Sequence, residues 1–239
     1  MSNAVIVPLN ADQELVITAD NSGAIGEKPQ DAVSTSNTIV GYSTLRVAMM
    51  ECLAEGAEPR TIVMQNFTSD KAWQDYKNGA EDVLKALERD MLPITGSTES
   101  NFASLQSGLG ITVIGTRTIE DNRDSEWSGE EKFAVIGAPL VGNEVLERQD
   151  EVIPLALFQR FCQMEEVKAV LPIGSKGVAA AWRSWTKRDD KLSSDIDLEK
   201  SGGPATCILI AFDNSNLETI QKATGSFFHH LVPSEGSSL

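Results

Sequence analysis

The stretch Thr44–Glu55, which carries Leu45, Val47, Ala48, Met49, Met50, Cys52, Leu53 and Ala54, is apolar almost all round. A helix without a polar face belongs in an interior, so the chain has to build its fold around this element. The end of the helix is well marked, with Gly56 at the left-handed cap position and Pro59 just beyond. Two acids interrupt it. Glu51 and Glu55 lie four residues apart, where like charges repel by roughly 0.2–0.5 kcal/mol on an exposed helix. Solvent at the helix edge is the ordinary place for a glutamate, and that reading suits Glu55. For Glu51 it stands beside a second reading, a cation shared with Asp20.

Ahead of the helix, Leu15-Val16-Ile17-Thr18-Ala19 reads as a buried strand that stops at Asp20-Asn21-Ser22-Gly23-Ala24-Ile25-Gly26. An acid fixed at a strand end can present a ligand, and Gly23 and Gly26 would let backbone amides approach phosphate oxygens closely.

Composition limits the partners. A formal net charge of −15 over 239 residues argues against nucleic acid and anionic membranes, both of which need basic surface. It leaves room for a nucleotide, which needs only local positive charge or a metal. With 41% hydrophobic and 23% charged residues, the chain should be soluble and globular with a proper core, in one large domain or two ordinary ones. No apolar run approaches membrane-spanning length, and the N-terminus has no signal-peptide pattern. Cys52, Cys162 and Cys207 are far apart in apolar contexts, which suits core packing in a reducing, cytoplasmic setting.

Along the rest of the chain, Val5–Leu9 and Thr61–Phe67 read as strands. Ser69 or Asp70 can cap a helix running to about Asp90, whose Trp73, Tyr76, Ala80, Val83, Leu84 and Leu87 set one face on a sheet. Leu92–Ile94 leads into a polar turn, Thr95–Asn101, and Leu109–Gly115 reads as a central strand. The charged, turn-rich segment Glu120–Glu131 marks a domain boundary. Beyond it, strands at 133–137, 168–173 and 206–212 alternate with helices at about 154–164, 178–185 and 217–225. A polar insertion occupies 187–203, and a disordered tail is expected from Ser234. This pattern predicts α+β layers.

The chain has no Gly-x-x-x-x-Gly-Lys-Ser/Thr phosphate loop and no Gly-x-Gly-x-x-Gly after a strand. Its only histidines are His229 and His230, which disposes of most zinc sites. Oxygen chemistry remains: Asp20, Glu51 and the Ser97/Glu99 turn. Such hard ligands suit Mg²⁺, which binds one or two carboxylates plus substrate phosphates.

Four blocks now resemble the aminoimidazole ribonucleotide (AIR) synthase superfamily. Ala19–Gly26 resembles its Thr-Asp-Gly-Val-Gly-Thr strand end, and Ser36–Gly41 its His-Asp-Thr-Ile-Gly. Met50–Pro59 resembles its Asn-Asp-Leu-x-x-x-Gly-Ala-Glu-Pro, and Thr95–Glu99 falls where the superfamily has Gly-Gly-Asp/Glu-Thr. The blocks keep their order over about residues 15–115. The resemblance implies an α+β, PurM-like two-domain fold and an ATP- and Mg²⁺-dependent enzyme. Its N-terminal domain (1–118) would pair with a second copy in a shared β-barrel, making a homodimer. Its C-terminal domain (132–233) would be a shortened α/β sandwich.

Residue by residue, the resemblance assigns metal binding to Asp20, Glu51 and Glu99, and nucleotide contacts to Asn21, Ser22, Gly23, Gly26, Asn37, Gly96, Ser97 and Thr98. Asp20 would also serve catalysis, with Lys176 neutralising charge on the transferred phosphate; the alternative for Lys176 is a solvated loop lysine. Departures from the family pattern are Asn37 and Glu51 for aspartates, Ser97 at the ungapped acidic position, and Pro172 for the C-terminal Asp. The Asp20–Gly26 and Thr95–Asn101 versions look most like the compact branch that includes α-ribazole kinase, which phosphorylates the 5′-hydroxyl of α-ribazole for the cobamide lower loop. Three function classes follow: a kinase acting on a hydroxyl of a small-molecule acceptor, an amide-activating ligase like AIR synthase, and a nucleotide-binding module that has lost catalysis.

Overall fold

The structure is a computed structural model and describes residues 3–119 and 128–234. The chain divides into two compact units, Asn3–Asn122 and Arg123–Leu239.

The first unit runs β1 (Val5–Pro8), β2 (Gln13–Gly23), β3 (Ile25–Gly26), β4 (Val33–Ser34), α1 (Asn37–Ala54), β5 (Glu58–Asn66), α2 (Ala72–Ala86), β6 (Ile94–Thr98) and β7 (Gly108–Thr118). Its sheet has the order β1-β2-β7-β5-β6. Within that sheet only β5 and β6 pair in parallel, and β3 and β4 form a separate parallel pair. Side chains alternate along each strand. Val16, Thr18, Ile62, Met64, Ile111 and Val113 are buried beneath α1, while Leu15, Ile17, Val63 and Ile114 on the other face are only half-buried.

The apolar helix is longer than its composition suggests. It starts at Asn37, where the Ser36 hydroxyl accepts from the Ile39 amide at 3.3 Å. Gly41 therefore lies inside it, and a Cβ there would sit 2.5 Å from the Tyr76 carbonyl oxygen of α2. Across the crossing, a Cβ on Gly79 would sit 2.1 Å from the Thr38 carbonyl oxygen. Two glycines thus let the helix backbones touch, and the apolar face of α2 meets chiefly α1 where a sheet was expected. No side chain caps α2: its N-cap is Lys71, and Ser69 and Asp70 engage the first turn through backbone carbonyls. As expected, Gly56 takes the left-handed conformation after α1, with φ of 74°.

Two stretches expected as loops are strand. β2 continues past Asp20, pairing Asn21 with Gly110, Ser22 with Leu109 and Gly23 with Gly108. Thr95–Thr98 lies in β6, held to β5.

The second unit runs β8 (Lys132–Ile136), α3 (Asn143–Glu147), α4 (Leu155–Gln163), β9 (Val167–Pro172), α5 (Gly177–Thr186), β10 (Lys191–Ser193), β11 (Ile208–Phe212), α6 (Leu217–Thr224) and β12 (Phe228–Ser234). Its sheet, ordered β10-β12-β8-β11-β9, is antiparallel throughout, in keeping with the expected α+β class. Phe133, Val135, Leu171, Leu209 and Trp182 of α5 form one core. The polar insertion is tied down: β10 pairs with β12, and Leu192, Ile196 and Leu198 pack on that core.

Among the described residues neither sheet closes into a barrel. Most of the expected boundary, 120–127, and the tail from 235 lie outside the described residues. All three cysteines are buried and unbridged. No described helix is long and apolar enough to cross a membrane.

Candidate functional site

The Thr18 hydroxyl donates to the Ala48 carbonyl at 2.7 Å, pinning β2 to α1. Asp20 follows on the same face of β2, and Glu51 lies about one turn further along α1. Glu51 is 8% exposed, so it does not sit at a solvated helix edge. Its Oε1 accepts from Asn3 Nδ2 at 3.3 Å, and its buried Oε2 has no partner. Burial lifts the Glu51 carboxyl to about 7; the Asp20 charge adds to the rise, Asn3 opposes it, and Glu55 adds the smaller increment. Burial likewise raises Asp20 to about 6, against the Asn21 backbone N–H that favours its charged form. Two desolvated carboxyls that repel each other, one with an orphan oxygen, fit a divalent cation with hard-oxygen preference.

At the start of α1, Asn37 is 5% exposed. Its backbone N–H donates to Glu27 Oε1 at 3.0 Å, while its own Oδ1 is buried without a partner. Asn21 and Gly23 are exposed on β2, and a Cβ on Gly23 would meet only open space. Gly26 is different. A Cβ there would fall 2.5 Å from Ser107 Oγ, so packing requires that glycine. Ser107 is itself held by Asp31, through N–H and Oγ bonds of 2.7 Å each.

The third predicted metal ligand stands elsewhere. Asp20 pairs with Ile111, Ile111 with Met64, and Met64 with Gly96. Three strand spacings, roughly 14 Å along the sheet, therefore separate Asp20 from β6. Gly96 is demanded by the β5–β6 pairing, since a Cβ would lie 1.8 Å from the Met64 carbonyl oxygen. Ser97 is exposed, and Thr98 Oγ1 accepts from Asn66 Nδ2 at 3.1 Å. Glu99 Oε1 accepts from the Asn101 and Phe102 amides at 2.7 and 3.3 Å, closing a turn. Among the described residues no three His, Cys, Asp or Glu side chains gather to hold a metal, so Glu99 does not complete a set with Asp20 and Glu51.

In the second unit Lys176 is exposed at the N-cap of α5. Segment 198–199 lies directly on that helix start. The Ala179 N–H donates to the Leu198 carbonyl at 2.9 Å, and a Cβ on Gly177 would sit 2.8 Å from Glu199 backbone. Pro172 ends β9 beside Ile208.

Two residues that hold the helix acids Glu51 and Glu55 escaped the sequence reading. Arg117, its side chain 3% exposed, donates to Glu14 Oε2 at 2.9 Å, Glu55 Oε2 at 3.2 Å and the Glu55 carbonyl at 2.8 Å. Glu55 is thus an ion-pair partner, where solvent exposure was expected. Alternation gave a signal for Arg117, which follows Leu109, Ile111, Val113 and Gly115 on the inward face of β7. Asn3 had none, because only the fold brings it to Glu51.

No protein-family model and no curated protein matches the chain. Solved structures do. Thermotoga maritima PurL complexed with ATP superposes with a TM-score of 0.64 at 11% identity, over 97% of this chain and 42% of PurL. This chain therefore spans less than half the length of PurL. Protein tt0281 from Thermus thermophilus gives a TM-score of 0.66 at 11% identity, covering 98% of this chain and 88% of that one. E. coli HypE, a hydrogenase maturation protein, gives 0.62 at 11% identity, covering 92% and 81%. At such identities the likeness is one of fold: this chain shares its two-unit α+β fold with PurL, tt0281 and HypE.

Proposed function

We propose that this protein is an ATP- and Mg²⁺-dependent enzyme that phosphorylates a hydroxyl of a small molecule, acting as a cytoplasmic homodimer. The observation that carries the reading is the pair formed by half-buried Asp20 and buried Glu51, two carboxyls raised to about 6 and 7, with Glu51 Oε2 buried and unpartnered, in a fold that PurL displays with ATP bound. Bound Mg²⁺ would supply the positive charge that phosphoryl transfer requires on the phosphate oxygens. The protein's own part is positional. Asp20 and Glu51 would hold the cation from a strand and a helix pinned together at Thr18, and the open backbone at Asn21–Gly23 leaves room for phosphate; Asn37, about 21 Å from Glu51 along α1, would contact the nucleotide away from the ion. The roles of Gly96, Ser97, Thr98 and Lys176, and α-ribazole as the acceptor, rest on the sequence resemblance alone.

The test is to incubate the protein with Mg²⁺-ATP, α-ribazole and a panel of other small alcohols, following ADP and looking for a phosphorylated product by mass. Asp20→Asn should abolish turnover while circular dichroism stays unchanged. If that variant unfolds, Asp20 is structural and the site is misplaced. ADP and free phosphate without a phosphorylated alcohol would point to a ligase like AIR synthase. One observation favours a second reading, a nucleotide-binding module without turnover: only two carboxylates come together among the described residues. ATP binding with no ADP across the panel would establish it. The homodimer is checked by sedimentation at micromolar protein, where a single 25.8 kDa species would refute it.

A further inference from the structure

The segment ahead of β1 reaches the acid pair. Val5 pairs with Ile17 and Ile6 with Val16, so continuing that register sets Asn3 opposite Ala19, the neighbour of Asp20. From there Asn3 Nδ2 donates to Glu51 Oε1 at 3.3 Å, and the Asn3 backbone N–H is directed at the same carboxylate. One oxygen of a buried glutamate is therefore held by donors from a separate element, while the other, Oε2, is buried without a partner.

We propose that Asn3 is a positioning residue for the cation site: it fixes the Glu51 carboxylate so that Oε2 is left to join Asp20 in holding a divalent cation. The proposal rests on the reading of Asp20 and Glu51 as that site. Its chemistry is that of an outer hydrogen-bond partner, which orients a ligating carboxylate without touching the ion. A glutamate on a helix has several rotamers, and fixing one before the cation arrives removes that ordering from the binding step. The arm ahead of β1 thereby becomes part of the site although it supplies no ligand atom.

The test uses the full chain and Mn²⁺ without nucleotide, counting free Mn²⁺ by electron paramagnetic resonance, with thermal melts as a fold control. Asn3→Ala should weaken Mn²⁺ binding about tenfold, the lower end of what loss of an outer partner costs. In a Glu51→Asp background, where the acid is one methylene shorter and withdrawn from Asn3, the same Asn3→Ala change should have little effect. That coupling separates positioning through Glu51 from a general loss of structure. Equal losses in both backgrounds, or no loss in either, would overturn the proposal while leaving the cation site standing. A wild-type chain that binds no Mn²⁺ at millimolar concentration would remove the cation site itself, and the proposal with it.

Discussion

Glu51 works against the fold that contains it. Its carboxyl is raised from 4.5 to about 7, and that of Asp20 from 3.8 to about 6, chiefly by burial. Between about pH 4 and 7 the folded chain therefore binds more protons than the unfolded one, and the stability due to this pair falls as pH rises through that window. It is fully present below about pH 4 and lost above about pH 7. Glu51→Gln should stabilise the cation-free protein at pH 8 by up to about 3 kcal/mol and flatten its melting temperature between pH 5 and 8. The same variant should weaken Mg²⁺-ATP binding at least tenfold, about 1.4 kcal/mol, and Glu51→Asp should restore part of it. Calorimetric melts and magnesium titrations on the same samples check both, and a Glu51→Gln that leaves magnesium binding intact would remove the cation reading. Glu55 separates from it. Because Glu55 shares the buried Arg117 with Glu14, Glu55→Gln should destabilise by about 1–2 kcal/mol in urea unfolding, with magnesium affinity nearly unchanged. The sequence made Asp20 and Glu51 visible as acids in apolar surroundings. It could not reveal the partner of Glu55, which comes from a strand 62 residues away.

At the scale of elements, hydrophobic period located the helices and most strands, because apolar spacing reports which side of an element is covered. Glycine carried the errors. Gly41 lies ahead of the apolar stretch that marks α1 in sequence and Gly96 in an expected turn, yet each lies inside an element where a neighbouring backbone leaves no space for a Cβ. A glycine needed for close approach looks, in sequence, the same as one that breaks structure. The polar run Thr95–Thr98 compounds this, since an edge strand needs no apolar face to be held by its ladder. Glu99 falls in with the acids for the same reason, because the strand before it has the composition of a loop. Gly79 gives the sharpest check. Gly79→Ala puts a methyl 2.1 Å from the Thr38 carbonyl, and forcing α1 and α2 apart should cost about 3 kcal/mol. Ala80→Gly, on the same helix, should cost no more than about 1 kcal/mol plus its small lost burial. Equal effects in urea unfolding would mean that the two helices are not closely crossed.

For the whole molecule, the feature that matters is the face of the first sheet turned away from α1. Val5 and Val7 are 57% and 39% exposed, and Ile17, Val63 and Ile114 beside them are half-buried. No described element of that unit covers this face, and such surfaces on soluble proteins mark interaction sites. The apolar alternation of β2, β5 and β7 announced the face; what covers it could not be read, because the partner in the proposed dimer is a second copy. In that dimer, resistance to heat would be a property of the sample as well as of the chain. Covering the face by association stabilises by mass action, so the melting temperature should rise by about 1–3 °C for each tenfold increase in protein. Ile17→Lys should abolish the dependence and lower the plateau to the dilute value. Dilution alone would then soften this protein, with solvent, pH and ligand all held constant.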